Sequence, residues 1–476
     1  MTSLPFLARL APLIAALFLT AAQGPGPSRL FPVDLYQRLG DPWLGARGEE
    51  PLFTAAFQAR KAEAFRRTWL GPWDPAFVAA HLTPEVAGLE DLVLDNIRRD
   101  IADQTGFGPN LRPYGPDWLA RIQAQLPPPR KGPFRFRPEG RAVILDNALL
   151  RLLPTMDLYM QHPDIPGQGY PFDNLQNSVL WAGTPVYLLG ATRDGSWCKV
   201  LAPDCAGWVR SQLLARAGPG FVRRWSRAAL DRGLAAAVVT ETPVEDRRGR
   251  FRFHAFVGSV LPRNGGRSGP MGVLIPARDP ATLRARCEPG RLLPGAAVPQ
   301  PWPYTPRHAA VLWKTLLGRP YGWGNTLYHN DCSAELKHFF VPFGLWLPRH
   351  SSDQKGAGRC EDLSGLGLEE RLAGLERIGH PYRSLVWIQG HVMLYLGPVR
   401  YTAPDGAAAA GFMTYQNLWG LRPRNLPDYR ALVGGSVLFP VLDTYPQAPD
   451  LRSLADRDRF VVTNLDEDPQ GPCPGE

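Results

Sequence analysis

Fifty of the 476 residues are proline, and that abundance limits what the chain can build. Proline lacks a backbone N–H and fixes φ at about −65°, so it ends helices and stays out of central strands. Short strands with long irregular connections are therefore expected in preference to long helices. Two proline clusters also divide the chain. Pro127-Pro128-Pro129 separates a helix-forming first part from a stretch of short alternating strands, and Val298-Pro299-Gln300-Pro301-Trp302-Pro303 introduces the last region. A length of 476 residues exceeds one ordinary core, so three or four domains are expected.

Arg9 precedes an apolar run at 10–19 that is too short to span a bilayer, and Thr20, Ala21 and Ala22 supply the small residues of a cleavage site. Residues 1–22 read as a secretory signal, which predicts export to the periplasm or cell envelope. Pro5, Pro12 and the Pro25-Gly26-Pro27 break argue against a first buried helix. With 44% hydrophobic and 20% charged residues and no transmembrane segment, the chain has the composition of a soluble globular protein. Its net charge of +9 comes from arginine spread along the sequence, and without a block of like charge no nucleic-acid partner is expected. No C-x-x-C, H-E-x-x-H, Walker or dinucleotide fingerprint is present, so neither metal nor cofactor is expected. A monomer is favoured.

The fold class read from these patterns is multidomain α+β. Residues 30–115 form a helical N-terminal region, with helices at 53–69 and 85–104 divided by the Leu70-Gly71-Pro72-Trp73 turn. Residues 116–216 carry short strands at 141–145, 178–181, 185–189, 197–201 and 207–209, with a hairpin at Asp194-Gly195. That is the pattern of a small β-barrel, whose core Trp197 and Trp208 are expected to fill. Residues 217–300 repeat the pattern more weakly at 235–239, 251–257 and 272–275. Residues 301–462 place a helix at 306–317 and a second helix ahead of strands holding His391 and 437–439, an α+β order that suits a papain-like domain. Residues 463–476, with Asp466-Glu467-Asp468, read as a solvated, disordered tail in which Cys473 has no assigned partner. Cys198 and Cys205 flank a strand and turn; a cross-hairpin disulfide and two buried thiols are both open.

The chemistry concentrates in the last domain. Asp331 reads as the N-cap of a helix whose apolar face is Leu336, Phe339 and Phe340, which places Cys332 in the first turn. There the helix dipole and unpaired N–H groups favour a thiolate, so Cys332 is expected to be a nucleophile of depressed pKa. His391 opens an apolar strand and is its candidate base. A third group must hold the imidazole in one tautomer, and Gln416 is the first choice with Asn417 as the alternate.

Tyr321-Gly322-Trp323-Gly324, Asp331-Cys332-Ser333, Phe343-Gly344 with Leu347-Pro348-Arg349, and Gly390-His391-Val392-Met393-Leu394-Tyr395-Leu396-Gly397 occur in that order. Together they resemble the NlpC family of cysteine peptidases over about residues 302–445. Thr184-Pro185-Val186, Asp194-Gly195-Ser196-Trp197 and Gly207-Trp208-Val209 look like the bacterial SH3-like domains that precede this peptidase in multidomain members, so two SH3-like barrels are expected. The resemblance implies hydrolysis of the γ-D-glutamyl bond to a diamino acid, usually meso-diaminopimelate, in peptidoglycan stem peptides. It also implies Cys332 as nucleophile, His391 as base and Tyr321 as an oxyanion donor. Asp331 and Ser333 match residues that bind the free amine of an N-terminal L-alanine, and Trp323 is a candidate substrate contact with core or linker packing as its alternative. Many members carry histidine where this chain has Gln416, whose carbonyl oxygen can still orient an imidazole. The competing readings are a catalytically inactive murein-binding module and an NlpC-type amidase or acyltransferase.

Overall fold

Apolar residues occupy successive positions of the C-terminal strands and divide between two cores. Val392, Leu394 and Leu396 join Met413, Tyr415 and Leu438 in one, while Met393, Tyr395, Phe412, Val437, Phe439 and Val441 lie in the other. A period of two with apolar groups on both sides requires a sheet covered on both faces. The computed structural model describes residues 28–473 apart from 32, 34, 35, 37, 129–133, 163, 164, 166, 266–269, 403–405, 427 and 428. The expected signal at 1–22 lies outside the described residues.

The sheet has seven strands: β1 (Ser28–Leu30), β2 (Arg359–Asp362), β3 (Ser384–Ile388), β4 (His391–Thr402), β5 (Ala408–Leu421), β6 (Arg430–Leu442) and β7 (Phe460–Asn464). Their order is β1-β6-β5-β4-β3-β7-β2, antiparallel throughout except that β1 pairs in parallel with β6. Helices α1 (Ala55–Leu70) and α2 (Pro219–Asp231) belong to the earlier part of the chain, and α3 (Pro306–Leu316), α4 (Cys332–Phe340) and α5 (Leu368–Ile378) to the last domain. Leu312, Trp313 and Leu316 of α3 pack with Leu336, Phe339 and Phe340 of α4 on one face. Leu375 of α5, Phe31 and Tyr36 cover the other.

The N-terminal region differs from its expected boundaries at both ends. Residues 28–30 are not helical but extend the last domain's sheet, and helix Pro116–Gln125 continues past 115 because Trp118, Leu119 and Ile122 pack on Leu94 and Ile97. Gln58 of α1 donates to the carbonyls of Trp302 and Phe343, both at 2.9 Å, so α1 is hydrogen-bonded to the last domain.

Between Arg141 and Arg216 a seven-stranded sheet forms the first barrel, close to the expected strand positions. Ala142, Ile144, Leu150, Leu180, Val186, Val200 and Val209 make its core. Trp197 and Trp208 are buried but stand outside that cluster. The Trp208 indole N–H donates to Glu90 Oε1 at 2.8 Å, and Arg210 lies over the Trp197 ring, so both serve the barrel's outer surface. From Leu234 to Gln300 a four-stranded and a three-stranded sheet form a second unit. It is entered by α2, which the sequence reading did not anticipate; Phe221, Trp225 and Ala229 of α2 pack with Phe65 and Trp69 of α1.

The tail is fastened to the domain as far as residue 473, although 468–472 are exposed. β7 lies between β3 and β2, Asp466 pairs with Arg383, Asp468 pairs with Arg60 and Lys61, and Cys473 is disulfide-bonded to Cys360. Cys198 and Cys205 are free thiols. They diverge because Cys198, opposite Val209 on its strand, turns its sulfur to Ser211, whereas Cys205 turns to Asp204.

Candidate active site

The start of α4 is defined by Asp331. Its backbone is extended (φ −85°, ψ −177°), and its Oδ1 accepts from the backbone N–H of Ala334 at 2.9 Å, the expected N-cap. Cys332 is the first helical residue and is buried. The backbone N–H of Val392 acts to lower the thiol's pKa, which puts the sulfur near the peptide that follows His391. The expected depressed pKa is not found. Burial, reinforced by the neighbouring Asp331 carboxylate, pushes the thiol up to about 12, outweighing the N–H groups of Val392 and Ser333 and the Arg349 charge. At neutral pH Cys332 is therefore held as a neutral thiol.

His391, partly buried at the head of β4, places Nε2 2.6 Å from Gln416 Oε1 on β5. The direction of this bond follows from the groups behind it. Thr414 Oγ1 donates to the carbonyl of Phe439 at 2.6 Å, so it accepts from Gln416 Nε2 at 2.7 Å. That contact fixes the amide with its oxygen towards the imidazole. Nε2 therefore carries the proton, and Nδ1 is left with the free lone pair. Burial holds His391 down to about 4; Gln416 opposes that shift and the Arg457 charge adds to it. Gln416→Leu should lower kcat about 10- to 100-fold with little change in KM, because the imidazole loses the partner that selects its tautomer. Gln416→Glu should move the acid limb of kcat/KM upward, since a carboxylate favours the imidazolium. Steady-state kinetics across pH checks both.

Asn417, the alternate third residue, is committed elsewhere. Its side-chain N–H donates to the carbonyl of Asn330 at 2.8 Å, holding the segment before Asp331. Beneath that segment lies a carboxylate that sequence reasoning missed. Glu335 is 1% exposed and accepts from Tyr415, from Ser436 Oγ at 2.6 Å and from Asn330 Nδ2 at 2.7 Å. Burial raises its pKa despite these donors. Its position in the stripe shared by Cys332, Leu336 and Phe339 was the available signal, because a carboxylate on an apolar helix face needs partners.

Arg349 was quoted for a motif but given no role. It is 3% exposed and grips Asp331 with two nitrogens, Nη2 to Oδ2 at 2.6 Å and Nη1 to Oδ1 at 3.1 Å. Nη1 also reaches Ser333 Oγ at 3.0 Å, and Nε donates to Ser178 Oγ of the first barrel at 2.9 Å. Burial works against both charges, but their mutual attraction wins, holding Asp331 below the ordinary carboxylate range and raising Arg349. Asp331 Oδ1 further accepts from Ser333 Oγ at 3.1 Å, and Oδ2 from the backbone N–H of Gly324 at 3.0 Å.

Tyr321 is 9% exposed and within electrostatic reach of Cys332. Burial, with the Asp331 charge, keeps its phenol protonated, and its hydroxyl has no hydrogen-bond partner among the described residues. Trp323 is 37% exposed. Phe172 of the first barrel meets the Trp323 ring at 5.3 Å, Tyr321 at 5.9 Å and Trp419 at 5.3 Å, an aromatic cluster beside Cys332 to which the barrel adds a residue no local pattern could reveal. The barrel is also fastened to the Tyr321–Cys332 loop by Gln176 Nε2, which donates to the Gly324 carbonyl at 2.8 Å. Gly324 has φ +61°, and a Cβ there would stand 2.2 Å from the Gln176 carbonyl oxygen, so only glycine permits this approach. Further ties are Asp204 with Lys337 at 2.6 Å and the Tyr328 hydroxyl with the Asn147 carbonyl at 3.2 Å.

The family model described as "SH3 domain (SH3b1 type)" matches residues 160–210, within the first barrel. Among solved structures, an NlpC/P60 endopeptidase from Photobacterium damselae subsp. piscicida superposes with a TM-score of 0.71 at 24% identity, covering 88% of this chain and 95% of that one. The chain has the NlpC/P60 endopeptidase fold. A second NlpC/P60 family protein, from Bacillus cereus ATCC 10987, aligns at 16% identity over 66% of this chain and 98% of that one, with a TM-score of 0.41. No curated protein matches in sequence. Within the NlpC/P60 fold, the chain brings together Cys332, His391, Gln416, Tyr321 and the Asp331–Ser333–Arg349 cluster. The family model for the SH3 domain matches one barrel only.

Proposed function

We propose that the chain is an exported cysteine endopeptidase that cleaves the γ-D-glutamyl bond to the diamino acid, meso-diaminopimelate, in peptidoglycan stem peptides. The observation that carries this reading is a buried thiol at a helix start lying against the His391 peptide, with His391 held by Gln416 in the tautomer a base requires. In the proposed reaction Nδ1 of His391 takes the Cys332 proton as sulfur attacks the glutamyl γ-carbonyl. The Tyr321 hydroxyl donates to the developing oxyanion. Collapse breaks the C–N bond, and the imidazolium returns its proton to the departing amine. Water, deprotonated by His391, then hydrolyses the thioester and restores the thiol.

The Leu234–Gln300 unit is read as a second SH3-like barrel, which packs on the first barrel through Phe256 and the Trp181 ring at 4.9 Å. The Cys360–Cys473 disulfide supports export, because such bonds persist in oxidising compartments. Among the described residues no helix is long and apolar enough to cross a membrane.

A neutral thiol–imidazole pair has a pH signature. His391 must be unprotonated, so kcat/KM should rise through an acid limb at about 4. With the thiol at about 12, no alkaline limb from a thiolate–imidazolium pair is expected, and the profile should stay level to about pH 9. A fall above about pH 8 would show instead that the pair is ionised. The function itself is tested by incubating the reduced protein with L-Ala-γ-D-Glu-meso-diaminopimelate peptides and with sacculi. Release of diaminopimelate-containing product supports the peptidase; binding to sacculi without release supports a recognition module.

A further inference from the structure

Asp331 has no oxygen to spare for a substrate. It accepts from the Ala334 and Gly324 backbone N–H groups, the Ser333 hydroxyl and two Arg349 nitrogens. Those five donors exceed the roughly four lone-pair directions of a carboxylate. The residue is only 6% exposed. Ser333 is turned into the same cluster, donating to Asp331 and accepting from Arg349.

Nor can Arg349 release the carboxylate, since Ser178 holds its Nε and the guanidinium is buried. The other carboxylate facing Arg349 is Asp204, which is paired with Lys337, each side chain 12% exposed. His350, exposed immediately after Arg349, contributes no negative charge. A substrate ammonium brings three donors and a positive charge and finds its expected carboxylate taken by a fixed cation. A neutral, acylated nitrogen makes no such demand, and the exposed Trp323 ring, steadied by Phe172, offers uncharged surface to an acyl group.

We propose that the Asp331–Arg349–Ser333 cluster frees this enzyme from any requirement for a free α-amine, so that its substrates are stem peptides with acylated L-alanine, as in stems joined to the glycan strand. The inference rests on the endopeptidase reading above, and it reverses the amine-binding role that the family resemblance implies for Asp331 and Ser333.

The test compares kcat/KM for L-Ala-γ-D-Glu-meso-diaminopimelate and its N-acetyl form with the full chain. The N-acetyl peptide should be cleaved at least as efficiently. Between about pH 6.5 and 9.5, as the free peptide's α-amine loses its charge near pH 8, its kcat/KM relative to the acetylated peptide should rise. A tenfold or greater preference for the free amine, or a relative rate that falls as the amine deprotonates, overturns the inference and leaves the peptidase standing. Cleavage of neither peptide removes the endopeptidase reading and this inference together.

Discussion

Cys332→Ala is expected to reduce cleavage of stem peptides by about 10⁴-fold or more, since removing a covalent nucleophile leaves only binding and oxyanion stabilisation. The fold should survive. Cys332 contributes a small buried group at the first turn of α4, whose cap is Asp331 and whose packing comes from Leu336, Phe339 and Phe340. The variant's thermal midpoint and its binding to sacculi should therefore remain close to those of the parent. Cys332→Ser sharpens the point: it keeps the shape but replaces the thiol by a hydroxyl, which is a much weaker nucleophile and holds its proton more tightly. Residual activity within tenfold of the parent in either variant would exclude Cys332 as the nucleophile.

Arg349→Met is expected to destabilise the last domain by about 3–5 kcal/mol at neutral pH, the range for breaking a buried ion pair by removing one partner. The cost comes from Asp331, which keeps its charge in a buried site. The sign with pH follows from the carboxylate. In the parent, Asp331 has a depressed folded pKa, so its stabilisation is present above the unfolded value of about 3.9 and is lost as pH falls through the folded one. In the variant the orphaned carboxylate takes up a proton at higher pH, so the gap between the two proteins should narrow as the solution is acidified. Arg349→Met combined with Asp331→Asn should recover part of the loss, because no uncompensated charge remains. Urea midpoints followed by tryptophan emission report all three. A loss below 1 kcal/mol at pH 7, unchanged by acid, would mean that Asp331 is not held by this pair.

Local chemistry was legible in the sequence, and long-range contacts were not. The Asp331 cap, Cys332 in the first turn and the strands of the first barrel follow from residue types at short spacing, and they stand where those spacings place them. Both Gln416 and Asn417 offered an amide on the strand after His391, and the two turn to different partners, His391 and Asn330. The thiol's pKa was misjudged because helix-start arguments count the N–H groups but not the depth of burial, which only the packed barrel and sheet create. Phe172 meets Trp323 and Ser178 meets Arg349, the latter across 171 residues, and the Cys360–Cys473 bridge spans 113. No spacing rule connects such pairs.

β7 has a consequence for the order in which the molecule comes together. It lies between β3 and β2, pairing Phe460–Asn464 with Ser384–Ile388 on one side and Arg359–Asp362 on the other. Until residue 464 has been synthesised, β3 presents an open edge, and β3 is the neighbour on which the His391 strand is registered. Pairings of such separation form late and slowly. A chain built this way completes the support of the His391 strand only once residue 464 has been made, so the register of that strand waits on a segment 73 residues further along.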